Sequence, residues 1–122
     1  MALTPLSTDD LRRVVNIGTA RNLAAATGFH PDKHSLLAVM HETGFTDPFD
    51  WNAWLQELPP GAFEDPAFLN GADLDTLRRL VTAHIRMDRF SGGHLDAVLA
   101  SGYMDAAMSR AARLLEEEAL PA

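Results

Sequence analysis

Residues 74–95 read LDTLRRLVTAHIRMDRFSGGHL. At 100° per residue, Leu74, Leu77, Leu80, Val81, His84, Ile85 and Asp88 fall on one continuous helical face. Arg78, Arg79, Arg86 and Arg89 fall on a separate wedge. Ser91-Gly92-Gly93 then turns the chain, and His94-Leu95 starts another helix. A long amphipathic helix, a tight glycine turn and a second short helix form an αα corner. That pattern decides for a helical fold.

The same periodicity continues on both sides. Downstream, Leu95, Val98 and Leu99 form the inner face of a short helix that stops at Ser101-Gly102. A last helix carries Met104, Ala107, Met108, Ala111, Leu114 and Leu115 at three–four spacing. At the other end, the Ser7 and Thr8 hydroxyls with Asp9 and Asp10 make a helix start, followed by Leu11, Val14 and Val15. Gly18 weakens its middle; the element is expected to run to about Ala26 and to stop at Thr27-Gly28. Pro31-Asp32 opens a second helix with Leu36, Leu37 and Met40 inward and Gly44 at its end. Asp50 caps a short third helix with Trp51, Trp54, Leu55 and Leu58, which Pro59-Pro60-Gly61 ends. From there to Gly71 an irregular stretch with Phe63, Pro66 and Phe68 is expected to pack down; Asp73 or its neighbours start the long helix. No segment alternates with period two. The expected fold is all-α: one compact domain of five to six helices over residues 1–122.

Bulk properties agree. A chain of 122 residues is the size of one domain and buries roughly two-thirds of its unfolded surface without a staple. The chain is 47% hydrophobic and 22% charged, an ordinary globular balance. The absence of cysteine excludes disulfides, thiolate metal sites and cysteine nucleophiles. A net charge of −7 argues against free nucleic acid as a partner, because that binding rests on cationic contacts with phosphates. No secretory leader and no membrane-length apolar run is visible, so a soluble, cytoplasmic protein is expected.

His84 and Asp88 break the in/out rule. A carboxylate facing a core is costly unless paired, and the end of a helix disfavours an anion. The available compensations are His84 one turn back, Arg110 or Arg113 from the last helix, and the unpaired N–H groups opening the helix after the turn. In one reading Asp88 locks the corner and His84 is a core histidine. In the other, His84, Asp88, Arg89 and His94 line a pocket. The arginine wedge is a solvated face paired to Asp75, or a docking surface for an acidic partner or a phosphate. Trp51 and Trp54 are core anchors or, if exposed, part of an interface.

Other constellations are weaker. The histidines at 30, 34, 41, 84 and 94 have no recognised metal spacing, although His84, Asp88 and His94 converge if the turn folds back. The helix after the turn carries Asp96 and no cation, unlike a DNA-reading helix. The glycine turns follow no strand and have no paired lysine, so they are not phosphate loops.

The run Leu77 to Phe90 with its Arg86-Met87-Asp88-Arg89-Phe90 core, then Gly93-His94-Leu95, Gly102 and a closing leucine-rich helix, resembles the bacterial and phage family of unknown function DUF6508. Phe49-Asp50-Trp51 before a short helix is similar to it too. The resemblance implies one small helical domain and weight on Arg86, Asp88, Arg89 and Phe90; it implies no activity. The expected role is non-enzymatic: protein–protein interaction or self-association through Arg78, Arg79, Arg86, Trp51 and Trp54, with no cofactor and no metal. The alternative is a small enzyme or ligand-binding protein with a pocket at His84, Asp88, Arg89 and His94. A further one is a nucleic-acid regulator using Arg78, Arg79, Arg86 and Arg89.

Overall fold

A computed structural model describes residues 3, 5–19 and 31–119, with the backbone alone for 31–33, 118 and 119. Seven α-helices occur among them: α1 (Thr8–Thr19), α2 (Pro31–Thr43), α3 (Trp51–Glu57), α4 (Pro66–Asn70), α5 (Leu74–Met87), α6 (His94–Ala100) and α7 (Tyr103–Ala119). A 3₁₀ turn at Ala62–Glu64 precedes α4, and no strand is present among the described residues. The expected continuation of α1 to about Ala26 lies outside the described residues.

The count exceeds the expected five to six by α4. Its five residues are too few to show a period, but its ends follow rule: Asp65 Oδ1 accepts from Ala67 N at 2.9 Å, Pro66 occupies the first turn, and Gly71 closes it. The same device starts α3, where Asp50 Oδ1 accepts from Ala53 N, and α5, where Asp73 Oδ1 accepts from Thr76 N at 2.8 Å. That last bond holds the Asp73 carboxyl below its ordinary pKa. Ser7 Oγ does likewise for α1, accepting from Asp10 N.

α7 is the hub: it packs against α1, α4, α5 and α6. Its Tyr103, Met104, Ala107, Met108 and Ala111 are all buried, about two per turn at three–four spacing. α1 meets them with Leu11, Val14 and Val15, and α5 with Leu77, Leu80 and Val81. α2 covers the other side of α1, where Arg13 also reaches Glu42 at 3.0 Å. α3 lies on α5.

Arg78 departs from the expected arginine face. It is 4% exposed and points inward, not to a surface. Its Nε donates to the Phe45 carbonyl at 3.0 Å and its Nη2 to the Gly44 carbonyl at 2.6 Å. Those carbonyls belong to the left-handed turn, Gly44 φ +79°, that ends α2 and inserts Phe45 into the core. A guanidinium fork fits two adjacent carbonyls. Burial lowers the Arg78 pKa, while the Asp47 and Asp75 charges oppose that shift. Arg78 therefore caps another helix, and its guanidinium is engaged there rather than presented on the expected arginine face.

Candidate functional site

His84 sits on the third turn of α5, 1% exposed. The Phe63 ring, carried by the 3₁₀ turn, stacks on its imidazole with centroids 3.8 Å apart and planes 5° apart. The Phe63 carbonyl lies 2.9 Å from His84 Nε2. On the other edge, His84 Nδ1 lies 3.0 Å from His94 Nε2. His94 is the first residue of α6, directly after Gly93 at φ +85°. The last member, Tyr103, starts α7 directly after Gly102, also at φ +85°, with its ring 4.6 Å from that of His84. Two left-handed glycines thus set two aromatic side chains against α5, a backbone conformation that other residues adopt only with strain.

Proton positions follow from the partners. A carbonyl only accepts, so His84 Nε2 carries a hydrogen and donates to Phe63. Burial, reinforced by His94, lowers the His84 pKa to about 4 although the Phe63 carbonyl works the other way. The ring is therefore neutral at pH 7, and its Nδ1 is a bare acceptor. His94 Nε2 must then be the donor of the 3.0 Å bond. The chain of bonds ends at His94 Nδ1, the remaining lone pair of the half-buried outer imidazole.

This pair lines a cleft of about 250 Å³, together with Glu64, Ala97, Val98, Ser101 and Tyr103. Glu64 stands exposed at its rim. Ser101 Oγ donates to the Val98 carbonyl at 2.8 Å and accepts from Tyr103 N at 3.3 Å. The Tyr103 ring forms part of the wall, but its hydroxyl is sealed from water and has no hydrogen-bond partner among the described residues. Burial raises the Tyr103 pKa, and the negative charges of Glu64 and Asp65 raise it further. A sealed, unpaired hydroxyl costs about 1–3 kcal/mol.

Of the four residues expected in one pocket, only His84 and His94 line this cleft. Asp88 is half-buried rather than central to the core, and it does not bond to His84. It follows the last residue of α5, and its Oδ1 accepts from Leu95 N at 3.0 Å. The free N–H groups opening α6 lie within its reach; the imidazole one turn back is already engaged on both nitrogens. Arg89 is exposed and lines a separate, smaller groove with Arg86, His41 and Leu37. Neither Arg86 nor Arg89 has an ion pair among the described residues. Arg79 bonds to Asp75 at 2.9 Å and lies over the Phe49 ring at 5.0 Å. Trp54 packs edge-on to Phe49 and against the core, so it is largely an anchor. Trp51 is half-buried, its ring 6.1 Å from that of Phe90, which is 79% exposed.

No group of three His, Cys, Asp or Glu residues able to hold a metal occurs among the described residues. None of their helices is long and apolar enough to cross a membrane. Sequence periodicity missed Tyr103, Glu64 and Ser101. Tyr103 is the single tyrosine of the chain and shares a helical face with Ala107 and Ala111, which was its available signal.

Comparison with curated proteins and with solved structures returns no match. The family model DUF6508, a family of unknown function, matches residues 23–117, which takes in α2 to α6 and most of α7 with both histidines, Tyr103 and the Arg86–Phe90 core. This helical chain therefore belongs to the DUF6508 family.

Proposed function

We propose that the protein is a small-molecule-binding protein whose ligand enters the cleft between the 3₁₀ turn, α6 and the start of α7. The observation that carries this reading is the His84–His94 hydrogen bond at 3.0 Å in the wall of that cleft. Structural histidines usually end on backbone or carboxylate. Here the chain ends on an imidazole nitrogen with no hydrogen-bond partner among the described residues, on a side chain that lines the cleft. Unpaired polar groups at a cleft call for a reason other than packing. The test is a ligand-observed NMR screen of small fragments against the wild type and Ala97→Trp. Ala97 is exposed on α6 and lines the cleft, so the indole fills the space without entering the core. Fragments that bind the wild type and are lost in Ala97→Trp support the reading. Fragment binding that Ala97→Trp leaves unchanged, or none at all, overturns it.

A second reading, protein association, is favoured by Phe90. It is 79% exposed, its ring meets that of the half-buried Trp51, and it is close in sequence to the cations Arg86 and Arg89, which have no ion pair among the described residues. On a chain of net charge −7, such a patch suits an acidic surface, including that of a second copy. Sedimentation velocity separates the cases: concentration-dependent dimerisation abolished by Phe90→Glu supports self-association, and a monomer at all concentrations removes it.

A further inference from the structure

The cleft can be read for the class of ligand, an inference that rests on the small-molecule reading above. The hydrogen-bond roles of the polar side chains lining it follow from their partners or, for Glu64, from its charge. Ser101 Oγ has given its only proton to the Val98 carbonyl, so it can offer lone pairs alone. His94 has its Nε2 hydrogen committed to His84, which leaves Nδ1 as its other hydrogen-bonding atom; at about pH 8, where imidazoles are in general neutral, that atom is an acceptor. Glu64 at the rim is an acceptor with a negative charge. The remaining donor, the Tyr103 hydroxyl, is sealed from water. No arginine or lysine lines the cleft among the described residues, and Asp65 adds a second negative charge beside Glu64. The floor is apolar, from Ala97, Val98 and the Tyr103 ring.

A site with acceptors, a negative rim and no accessible side-chain donor repels carboxylates and phosphates and leaves their oxygens unpaired. It suits a ligand that brings its own N–H donors and a positive charge, attached to a compact apolar body. We infer that the cleft binds an organic amine: a primary ammonium placed between the Glu64 carboxylate and His94 Nδ1, with its hydrocarbon part on Ala97, Val98 and Tyr103.

The experiment uses three probes of one shape: benzylammonium, benzyl alcohol and benzoate. Binding is followed by NMR through the His84 and His94 imidazole C–H signals at about pH 8, where imidazoles are in general neutral and alkylammonium groups charged. Benzylammonium is expected to bind about tenfold more tightly than benzoate, with benzyl alcohol between them. Glu64→Gln, an exposed and conservative change, should weaken benzylammonium by about threefold and leave benzyl alcohol unchanged, as for a partly solvated ion pair. Tyr103→Phe, which removes only the sealed hydroxyl, should leave benzylammonium binding within about twofold, a margin for small packing changes. Tighter binding of benzoate or benzyl alcohol, with loss of that binding in Ala97→Trp, overturns the amine inference and leaves the small-molecule reading standing. Failure of all three probes to show binding sensitive to Ala97→Trp overturns the amine inference, and the fragment screen then decides the wider reading on its own. Equal weakening of all three by Glu64→Gln also overturns it, because the carboxylate would be holding the cleft rather than the charge.

Discussion

A Cβ on Gly18 of α1 would collide with Sδ of Met108 of α7 and lie 2.6 Å from its Cγ. Read as a weak point in a helix, Gly18 is in fact a place where α7 packs closely on α1, with Met108 in the space a side chain would take. Gly18→Ala gains up to about 1 kcal/mol of helix propensity. Against this stands a core overpacked around a methionine that is itself buried, at a typical cost of about 1–3 kcal/mol. The net expectation is a loss of about 1–2 kcal/mol in urea unfolding. Met108→Ala in the Gly18→Ala background should recover part of it, so the double mutant falls short of the sum of the singles. An additive pair would mean that α1 and α7 adjust their spacing freely.

Arg78 yields a different expectation from the other arginines. Arg78→Leu leaves the Gly44 and Phe45 carbonyls without their donor at the end of α2, and should cost about 3 kcal/mol. Arg78→Lys should recover only part of this, because one ammonium cannot reproduce a fork across two carbonyls. Arg89→Leu, at an exposed position without an ion pair among the described residues, should stay within about 0.5 kcal/mol of wild type. Thermal melts of the three variants check the ranking. An Arg78→Leu protein as stable as Arg89→Leu would return Arg78 to the surface.

This contrast marks what was legible in the sequence. The helix α5 and its inward residues Leu77, Leu80 and Val81 follow from a period of 3.6 sustained over fourteen residues. The five-residue α4 escapes, because a single turn has no period to detect. Arg78 escapes for another reason: a helical wheel gives direction about the helix's own axis, and says nothing of the carbonyls that α2 brings up from 33 and 34 residues away. His84 was correctly inward, but its partner is His94 and not Asp88. Spacing of four residues puts Asp88 on the same face, yet α5 ends at Met87 and the N–H of Leu95 outcompetes the imidazole for the carboxylate. The meeting of His84 with His94 and Phe63 depends on how the Ser91–Gly93 turn and the 3₁₀ turn fold back, which no local pattern encodes.

Asp88 behaves as a cap placed outside its helix. Gly93, the N-cap of α6, has no side chain to offer, and Asp88 Oδ1 takes over by accepting from Leu95 N. Asp88→Ala should therefore cost about 1 kcal/mol, the value of a capping bond rather than of a buried ion pair. Asp88→Asn keeps an oxygen acceptor and should lose less. A loss of 3–5 kcal/mol, as when a buried pair is broken, would point to a cationic partner instead.

His84 makes stability depend on pH with a definite sign. Its folded pKa is about 4, against an ordinary 6.5, because burial disfavours the imidazolium. Between those values the unfolded chain binds a proton that the folded one refuses. The stabilisation is complete above about pH 6.5 and is lost as pH falls towards 4, in all by about 3 kcal/mol. His84→Gln places an amide N–H near the Phe63 carbonyl and cannot titrate. It should be the less stable protein at pH 7.5, through loss of the ring stacked on Phe63, by an amount that shrinks on acidification. Denaturant curves of both proteins in steps from about pH 7.5 to about pH 4.5 give the difference, from which carboxylate titrations common to the two cancel. A gap that stays constant through this window would mean that His84 takes up its proton in the folded protein. Below about pH 6.5 the 3.0 Å bond would then run from His84 Nδ1 to His94, while the donor order at neutral pH and above would stand.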